Sequence, residues 1–363
     1  MRKAQTRRIL VVDDSTVVRS LLRSAIASDP GLELAGMAAD GASALSMIDS
    51  VRPDLVLLDV EMPVLDGLAT LRRLRAAGHR LPVIMCSSLT RRGAQVTVDA
   101  LSSGATDYVA KPETCNGASS QSFVQDLLGK IRALTLSVFA HSIVPAIPAS
   151  AASRRSTTSP ASIIVIGVST GGPAALQAIL PHLPADYPLP ILVVQHMPEL
   201  FTRMLAERLS RSCLLPVVEA SEGDLVLPGR VAIARGNWHL EIISSSRAGS
   251  APTLHLSQSS QENHCRPSVD VLFRSAAAAF GSGVQAVLLT GMGSDGLAGA
   301  RIVRSLGGSI LAQDQATSAV WGMPGAVVHA GLTDRVLPLH AIGQEILRVA
   351  SKSIADRREQ VAS

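Results

Sequence analysis

Residues 163–176 read Ile-Ile-Val-Ile-Gly-Val-Ser-Thr-Gly-Gly-Pro-Ala-Ala-Leu, and this stretch decides the fold of the second half of the chain. The β-branched run Ile163–Ile166 predicts a buried parallel strand. Pro173 is typical of the first turn of a following helix, and the glycines before it allow a tight turn that leaves Ser169 uncovered. The pattern Gly-x-Ser-x-Gly therefore fits a nucleophile elbow. A serine or threonine that only caps the helix explains the same letters.

Composition excludes several classes of protein. The chain has 363 residues, which predicts about two or three domains. Only 2% of the residues are aromatic and the net charge is +4 with scattered arginines, so we expect no nucleic-acid partner. The cysteines form no Cys-x-x-Cys pair, so we expect neither a disulfide scaffold nor a zinc site. No signal peptide and no apolar run of about 18 residues is present, which favours a soluble cytoplasmic protein without membrane insertion.

The first half of the chain alternates strand and helix patterns between residues 9 and 138. Five apolar strand patterns are each followed by an amphipathic helical pattern. This order predicts an α/β domain with a doubly wound parallel sheet of the flavodoxin-like kind. In such a sheet, functional residues gather at the carboxyl ends of the strands.

Polar residues follow four of these five strands: Asp13 and Asp14, Asp59, Ser87, and Lys111. Three carboxylates that converge at one edge repel each other, so they require a cation, and oxygen ligands favour Mg²⁺. A hydroxyl group and an ammonium group opposite the metal suit the oxygens of a phosphoryl group. The site is therefore suited to hold a phosphoryl group on one carboxylate. The alternative is that these residues are only loop carboxylates and helix caps of an ordinary flavodoxin-like domain.

This half of the chain closely resembles the receiver domain of two-component response regulators. The matching segments are Val11-Val12-Asp13-Asp14-Ser15, residues 54–63 (Asp-Leu-Val-Leu-Leu-Asp-Val-Glu-Met-Pro), Asp66-Gly67, Ser87-Ser88, and residues 104–112 with Tyr108 and Lys111-Pro112. The resemblance implies that a histidine kinase phosphorylates Asp59.

The same resemblance implies a role for each of the other polar residues. Asp13, Asp14 and Asp59 would hold Mg²⁺, and the backbone carbonyl of Glu61 would help. Ser87 and Lys111 would contact the phosphoryl group, and Tyr108 would be the aromatic residue that switches position.

A segment rich in Ala, Ser and Pro separates the two halves. It has no helical period and predicts a flexible linker over residues 139–162. We therefore expect a receiver domain over residues 1–138 and an output domain over residues 163–355. Strand and helix patterns alternate again in this second part, which predicts a second doubly wound α/β domain. Several short strands over residues 214–258 predict a short antiparallel edge.

Ser169, His196 and Asp295 each follow a predicted strand of the second domain. A parallel sheet would bring all three to one edge. A neutral imidazole activates a serine hydroxyl near pH 7, and a carboxylate orients the imidazole. Backbone N–H groups in the loop Gly291–Gly293, or at the helix start after Ser169, would stabilise an oxyanion. Alternatively, His196 is an ordinary core residue bonded to backbone and Asp295 only caps a helix.

The loop after the strand at residues 284–290 also spells a dinucleotide fingerprint, Gly291-x-Gly293-x-x-Gly296, with Asp314 near the position of a ribose-binding acid. Against this interpretation, Asp295 lies inside the loop, where it would repel a pyrophosphate. The fingerprint also normally belongs to the first strand–helix turn of a domain. A response regulator with a dinucleotide-binding, non-hydrolytic output domain is the alternative function.

The second half resembles the catalytic domain of the chemotaxis protein-glutamate methylesterases. The segments that carry the resemblance are residues 166–173 around Ser169, residues 194–198 around His196, residues 264–273 (His-Cys-Arg-Pro-Ser-Val-Asp-Val-Leu-Phe), and residues 289–296 around Met292 and Asp295. The resemblance implies Ser169 as nucleophile, His196 as base and Asp295 as the residue that orients it. The backbone N–H of Met292 would belong to the oxyanion hole.

For the whole chain, the resemblance implies a serine hydrolase that is activated by phosphorylation. It would remove methyl esters from glutamate side chains of chemoreceptors and deamidate certain glutamines. Its partners would be a chemotaxis histidine kinase and methyl-accepting chemoreceptors, with peripheral association with receptor arrays. Mg²⁺ would bind in the receiver domain, and the catalytic domain would need no cofactor.

Overall fold

The computed structural model describes residues 6–112, 118–140, 160–244 and 250–362. Side chains are described for these residues except 118, 136–140 and 353–362. The chain divides into two compact units, Met1–Ile143 and Val144–Ser363. Most of the linker predicted at residues 139–162 lies outside the described residues.

The first unit alternates five strands with five helices, as the sequence pattern predicts. The strands are β1 Arg7–Val12, β2 Leu32–Ala38, β3 Leu55–Asp59, β4 Val83–Ser87 and β5 Asp107–Ala110. The helices are α1 Thr16–Ala27, α2 Gly41–Val51, α3 Gly67–Ala76, α4 Arg91–Ser102 and α5 Ala118–Ala140. The sheet order is β2-β1-β3-β4-β5 and all pairings are parallel. This order confirms the doubly wound, flavodoxin-like domain.

The central strands are buried because helices cover both faces of the sheet. Every residue of β3 and β4 is buried, which is why these strands are continuous apolar runs rather than alternating ones. Polar caps start the helices that follow the strands: the side chain of Asp40 accepts hydrogen bonds at the start of α2, and that of Asp66 at the start of α3. Because β1, β3 and β5 are parallel, the charged residues at and after their carboxyl ends lie at the same edge of the sheet.

The second unit contains a seven-stranded parallel sheet in the order β14-β13-β12-β6-β7-β9-β8 and a separate antiparallel pair, β10 and β11. Its strands are β6 Ile163–Val168, β7 Ile191–Gln195, β8 Val217–Glu219, β9 Val231–Ile233, β10 His239–Ile243, β11 Thr253–Ser257, β12 Val284–Leu288, β13 Ser309–Gln313 and β14 Arg335–Leu337. Its helices are α6 Gly172–Ile179, α7 Glu199–Ser210, α8 Val269–Phe280, α9 Leu297–Ser305, α10 Met323–His329 and α11 Leu339–Ala362.

The short strands after α7 belong to two different sheets. The antiparallel pair β10–β11 is present as predicted, but it forms a small sheet of its own. Its apolar residues Leu240, Leu254 and Leu256 pack with Phe273 of α8 in the main core of the unit. The edge of the large sheet consists instead of β9 and β8, which are parallel to β7. Helix α7 connects β7 to β8 as a crossover, so β8 runs parallel to β7. The turn residues in these short segments do not indicate this parallel pairing.

The central position in the large sheet belongs to β6. Its last residues pair with β12 on one side, where Gly167 lies opposite Leu288, and with β7 on the other, where Val168 lies opposite Gln195. The carboxyl ends of β12, β6 and β7 are therefore adjacent. No helix among the described residues is both long enough and apolar enough to cross a bilayer.

Candidate active site

The turn after β6 presents Ser169 at the carboxyl edge of the sheet. Gly171 has a φ of 79°, a left-handed conformation that favours glycine. A Cβ atom on Gly172 would lie 1.9 Å from the side-chain oxygen of Gln195, so only glycine fits there. Gly171 is the N-cap of α6 and no side chain caps this helix. The alternative that Ser169 or its neighbour merely caps the helix is therefore wrong.

His196 is the first residue beyond the neighbouring strand β7. Its backbone N–H donates to the carbonyl of Val168 at 3.2 Å, which continues the pairing of β6 and β7 past their ends. The side-chain amide of Gln195 donates to the carbonyls of Ser169 at 3.0 Å and of His196 at 3.3 Å. Hydrogen bonds between the strand ends and from the Gln195 side chain therefore hold the backbones of Ser169 and His196 next to each other.

Asp295 lies in the loop after β12 and contacts the imidazole directly. Its Oδ2 atom is 2.8 Å from Nε2 of His196, and the side chains are 2% and 13% exposed. The other ring nitrogen, Nδ1, lies 3.6 Å from the sulfur of Cys265. Within the described residues, the Ser169 hydroxyl makes no hydrogen bond. The structure therefore brings all three predicted residues to one edge and pairs the imidazole with the carboxylate, but it does not pair the imidazole with the hydroxyl.

The Asp295 carboxylate also closes the amino-terminal end of α8. It accepts hydrogen bonds from the backbone N–H groups of Val269 at 2.7 Å and Asp270 at 3.1 Å, and from the Ser268 hydroxyl at 2.7 Å. The N-cap residue Ser268 itself makes no side-chain cap bond. The alternative that Asp295 only caps its own helix is therefore wrong: no side chain caps the adjacent α9, and the helix that Asp295 caps is α8, from a distant segment.

These contacts control the charges of the pair. Burial alone would raise the pKa of Asp295, but hydrogen bonds from His196, Val269 and Ser268 lower it to about 2. Burial alone would lower the pKa of His196, but its hydrogen bonds with Asp295 and Cys265 raise it to about 9. Asp295 is therefore a permanent anion, and it stabilises an imidazolium ring beside it.

Sequence reasoning missed the residues that hold Asp295 in place. The side-chain amide of Asn263 donates to Asp270 at 2.9 Å and to Asp295 at 3.0 Å, so it bridges two buried carboxylates. Asp270 in turn accepts the backbone N–H of Gly299 at 2.6 Å. Residues Ser268 and Asp270 lie in a segment that carries the family resemblance, but no spacing rule relates them to Asp295.

Two backbone N–H groups are available next to Ser169. A Cβ atom on Gly291 would lie 2.9 Å from Cβ of Ser169, so the loop after β12 passes directly over the serine. Neither the N–H of Thr170 nor that of Met292 donates a hydrogen bond within the described residues. The side chain of Met292 is 40% exposed. The loop can therefore offer donors to an oxyanion formed at Ser169.

The glycine-rich loop does not have the features of a dinucleotide site. The Asp295 carboxylate inside the loop is buried and paired with His196, and its negative charge would repel a pyrophosphate. Asp314, the candidate ribose-binding acid, accepts the backbone N–H and hydroxyl of Thr317 at 2.9 and 2.6 Å within its own turn. Nothing in the geometry favours cofactor binding at this loop.

The acidic site of the first unit also comes together as predicted from the strand ends. One carboxylate oxygen each from Asp13, Asp14 and Asp59 lies within 4.8 Å of the others. The ammonium group of Lys111 is 2.8 Å from Asp13 and 2.7 Å from Asp59. Ser87 is fully buried at the end of β4, and its hydroxyl donates to the Ser88 carbonyl at 3.2 Å. A set of hard oxygen donors of this kind fits a small divalent cation.

Burial and neighbouring charges act in opposite directions on this acidic site. Burial raises the pKa of Asp59 to about 6, assisted by the charge of Asp13 and opposed by Lys111. Burial would lower the pKa of Lys111, but the two carboxylates raise it. The side chain of Glu61 points to solvent beside Arg92 at 3.4 Å, which leaves only its backbone for the site. Tyr108 is 6% exposed, with the Lys130 ammonium 5.0 Å from its ring centre.

The folds and the two sites define a class of protein: a response regulator whose output domain has the elements of a serine hydrolase. Comparisons with known proteins agree. The CheB methylesterase family model matches residues 164–346, and the response regulator receiver domain model matches residues 9–117.

Relatives match nearly the whole length of the chain. A protein-glutamate methylesterase/protein-glutamine glutaminase of Nocardioides sp. is 48% identical over 94% of this chain and 94% of its own. One from Trichodesmium erythraeum is 45% identical over 94% of this chain and 98% of its own. The crystal structure of the Thermotoga maritima CheB methylesterase catalytic domain superposes with a TM-score of 0.50 at 43% identity, covering 52% of this chain and 98% of that one. The chain belongs to the CheB family of protein-glutamate methylesterases/protein-glutamine glutaminases.

Proposed function

We propose that the chain is a response regulator that hydrolyses glutamate methyl esters and deamidates certain glutamines on chemoreceptors, in two-component chemotaxis signalling. The observation that carries the proposal is the His196–Asp295 contact of 2.8 Å at the strand end next to that of Ser169. The printed names of the full-length relatives support both activities.

In the proposed reaction, the Ser169 hydroxyl attacks the side-chain carbonyl of the substrate while the His196 imidazole takes its proton. For that step the ring must be neutral and must turn its Nδ1 atom from Cys265 to the serine, because Asp295 holds Nε2. The ring then returns the proton to the leaving group, which departs as methanol from an ester or ammonia from an amide. Water hydrolyses the acyl-enzyme by the reverse sequence and restores the serine.

The tetrahedral oxyanion is proposed to accept hydrogen bonds from the backbone N–H of Met292, with that of Thr170 as a second donor. Both groups lack other acceptors within the described residues. Esters and amides form the same type of tetrahedral intermediate, so one set of donors serves both activities.

Asp59 is proposed as the phosphorylated residue, with a chemotaxis histidine kinase as donor. Asp13, Asp14, Asp59 and the Glu61 carbonyl would hold Mg²⁺, which when bound supplies positive charge to phosphoryl oxygens. Ser87 and Lys111 would contact the phosphoryl group, and Tyr108 would change position after phosphorylation. We place the receiver domain at residues 1–138, the linker at 139–162 and the catalytic domain at 163–355. We also propose a cytoplasmic location with peripheral association with receptor arrays.

The decisive test is the Ser169→Ala variant of the full chain. It should hydrolyse methyl esters at least about 10³-fold more slowly than wild type, while Asp59 still accepts a phosphoryl group. Ser305→Ala is the matched control, because among the described residues its hydroxyl bonds only to the Ile302 carbonyl of its own helix. Labelling by a serine-directed phosphonate should occur at Ser169 and be lost in the alanine variant. Ester hydrolysis at the wild-type rate by Ser169→Ala would refute the nucleophile assignment.

A further inference from the structure

The thiol of Cys265 lies against the imidazole of His196, and the reaction proposed above gives it no role. The sulfur is 3.6 Å from Nδ1, and the residue is a free, half-buried cysteine. Together with Asp295, these residues form a group of three different metal-ligand types whose donor atoms lie within 4.8 Å of one another. Because the three come from distant segments, the absence of a Cys-x-x-Cys pair in the sequence does not argue against this cluster.

The contact with Asp295 determines which nitrogen of the His196 ring carries a lone pair toward the sulfur of Cys265. Oδ2 of Asp295 accepts at Nε2 of His196 over 2.8 Å. When the ring is neutral, its proton is therefore on Nε2 and the lone pair is on Nδ1, directed toward Cys265. Two electron-pair donors that face each other need a proton or a metal ion between them.

The separation of these two donors fits a tetrahedral zinc ion. Typical Zn–S and Zn–N bonds of about 2.3 and 2.05 Å at a tetrahedral angle place sulfur and nitrogen about 3.6 Å apart. The observed distance between Sγ and Nδ1 is 3.6 Å. Asp295 also occupies the place of the carboxylate that commonly holds the second nitrogen of a zinc-bound histidine.

The surroundings favour a dication. Asp270 and Asp295 are both buried and share the side chain of Asn263, so the carboxylate that contacts the histidine has a second buried carboxylate linked to it. Sulfur and imidazole ligands select Zn²⁺, whereas the oxygen cluster of the first unit suits Mg²⁺. The two sites therefore differ in the metal that they prefer.

We propose that Cys265 and His196 bind Zn²⁺ at the catalytic centre, with Asp295 orienting the imidazole, and that the bound metal inhibits the hydrolase. On binding, the thiol and the imidazolium ring each release a proton to solvent, the sulfur and Nδ1 each donate an electron pair to the metal, and water fills the remaining positions. Nδ1 is then unable to accept the Ser169 proton. Only the inhibition rests on the proposed function; metal binding does not.

Metal binding is tested with Co²⁺ as a spectroscopic substitute, on the full-length protein in excess Mg²⁺ that fills the oxygen cluster. We expect a thiolate-to-cobalt charge-transfer band in the near ultraviolet for wild type and for Ser169→Ala. Cys265→Ser should abolish the band. Cys213→Ser is the matched control and should retain it. A missing band in wild type, or an unchanged band in Cys265→Ser, would overturn the metal site.

Inhibition is tested by Zn²⁺ titration of methyl-ester hydrolysis, with reversal by a zinc-selective chelator. Each variant is compared with its own metal-free rate. Half-inhibition of Cys265→Ser should require at least about tenfold more Zn²⁺ than wild type, while Cys213→Ser should match wild type. Equal sensitivity of wild type and Cys265→Ser would exclude inhibition through this site. If no hydrolysis is detected in any variant but the cobalt band depends on Cys265, the proposed function fails and the metal site is retained.

Discussion

Asp295 combines a chemical task with a structural one. It holds the imidazole of His196 and at the same time accepts two backbone N–H groups at the start of α8. The partial positive charge of a helix amino terminus stabilises an anion there. The orientation of the imidazole therefore depends on how α8 is docked, and residues that touch neither Ser169 nor a substrate contribute to activity.

The first prediction concerns the Ser268 hydroxyl, which is fully buried and donates to Asp295 at 2.7 Å. Ser268→Ala should lower kcat for ester hydrolysis by about 10- to 100-fold with KM nearly unchanged, because a hydrogen bond to a charged group is lost. Ser275→Ala, within α8, is the control, since in the described part of the chain its hydroxyl bonds only to the Leu272 carbonyl. An unchanged kcat, or an effect confined to KM, would contradict this role for Ser268.

A second prediction concerns Gly172, where there is no room for a side chain. An added Cβ atom would lie 1.9 Å from Oε1 of Gln195 and 2.7 Å from Cγ2 of Val168. Gly172→Ala should reduce the free energy of unfolding of the catalytic unit by about 1–3 kcal/mol. It should also reduce activity, because Gln195 ties the Ser169 and His196 backbones together.

Gly343→Ala in α11 is the matched control for this glycine. The nearest atom to an added Cβ atom there is 3.7 Å away, an ordinary contact. This variant should keep its activity and have unchanged or slightly higher stability, as measured by urea unfolding. Equal behaviour of the two alanine variants would show that the turn after β6 adapts to a side chain.

Strands and helices of the second unit differ in how they are stabilised. The central strands combine parallel hydrogen-bonded pairing with apolar burial, and Ile163, Val165 and Leu288 are fully buried. The short edge strand β14 pairs with β13 alone and is also held by charge: Glu345 of α11 pairs with Arg335 of β14 and with Arg348, whose Nη2 atom is 2.6 Å away. Burial would raise the pKa of Glu345, but the hydrogen bonds from the two arginines lower it below 4.5.

This charge cluster predicts a pH dependence of stability. A carboxyl group with a lowered pKa in the folded state contributes stability above its unfolded value of 4.5 and loses it as the pH falls through the folded value. Wild type should therefore be more stable than Glu345→Gln at pH 7, and the difference should shrink below about pH 4.5. The measurement is urea unfolding across this range. Glu207→Gln, on an exposed helical pair, should show little difference at any pH.

The whole molecule joins a response regulator receiver unit to a methylesterase unit. In the first unit, Lys111 bridges Asp13 and Asp59, so a phosphoryl group on Asp59 would rearrange charges that are already paired. A regulator of this kind works by shifting the population of two arrangements of the chain.

The corresponding prediction uses the full chain and a small acyl phosphate as donor. With Mg²⁺ present, the donor should accelerate ester hydrolysis by wild type but not by Asp59→Asn, and removal of Mg²⁺ by a chelator should abolish the acceleration. Asp49→Asn is the control, because this carboxylate is 88% exposed on α2. Equal acceleration of wild type and Asp59→Asn would exclude Asp59 as the acceptor that activates the enzyme.

The alternation of strands and helices, the doubly wound class of both units and the polar residues at the strand ends all followed from the order of residues. These features depend on local periodicity, β-branched runs and turn residues, which act over a few positions. Family membership, predicted from four short segments and confirmed by the relatives, also rests on local patterns.

Which strand ends are neighbours depends on the order of the strands in the folded sheet. The sheet order places β6 between β12 and β7, and it therefore sets Ser169 beside His196 and the Asp295 loop. The capping of α8 by Asp295, the edge strand β14 and the contact of Cys265 with His196 likewise depend on segments far apart in the chain. Long-range packing selects these contacts, and no spacing within the sequence records them.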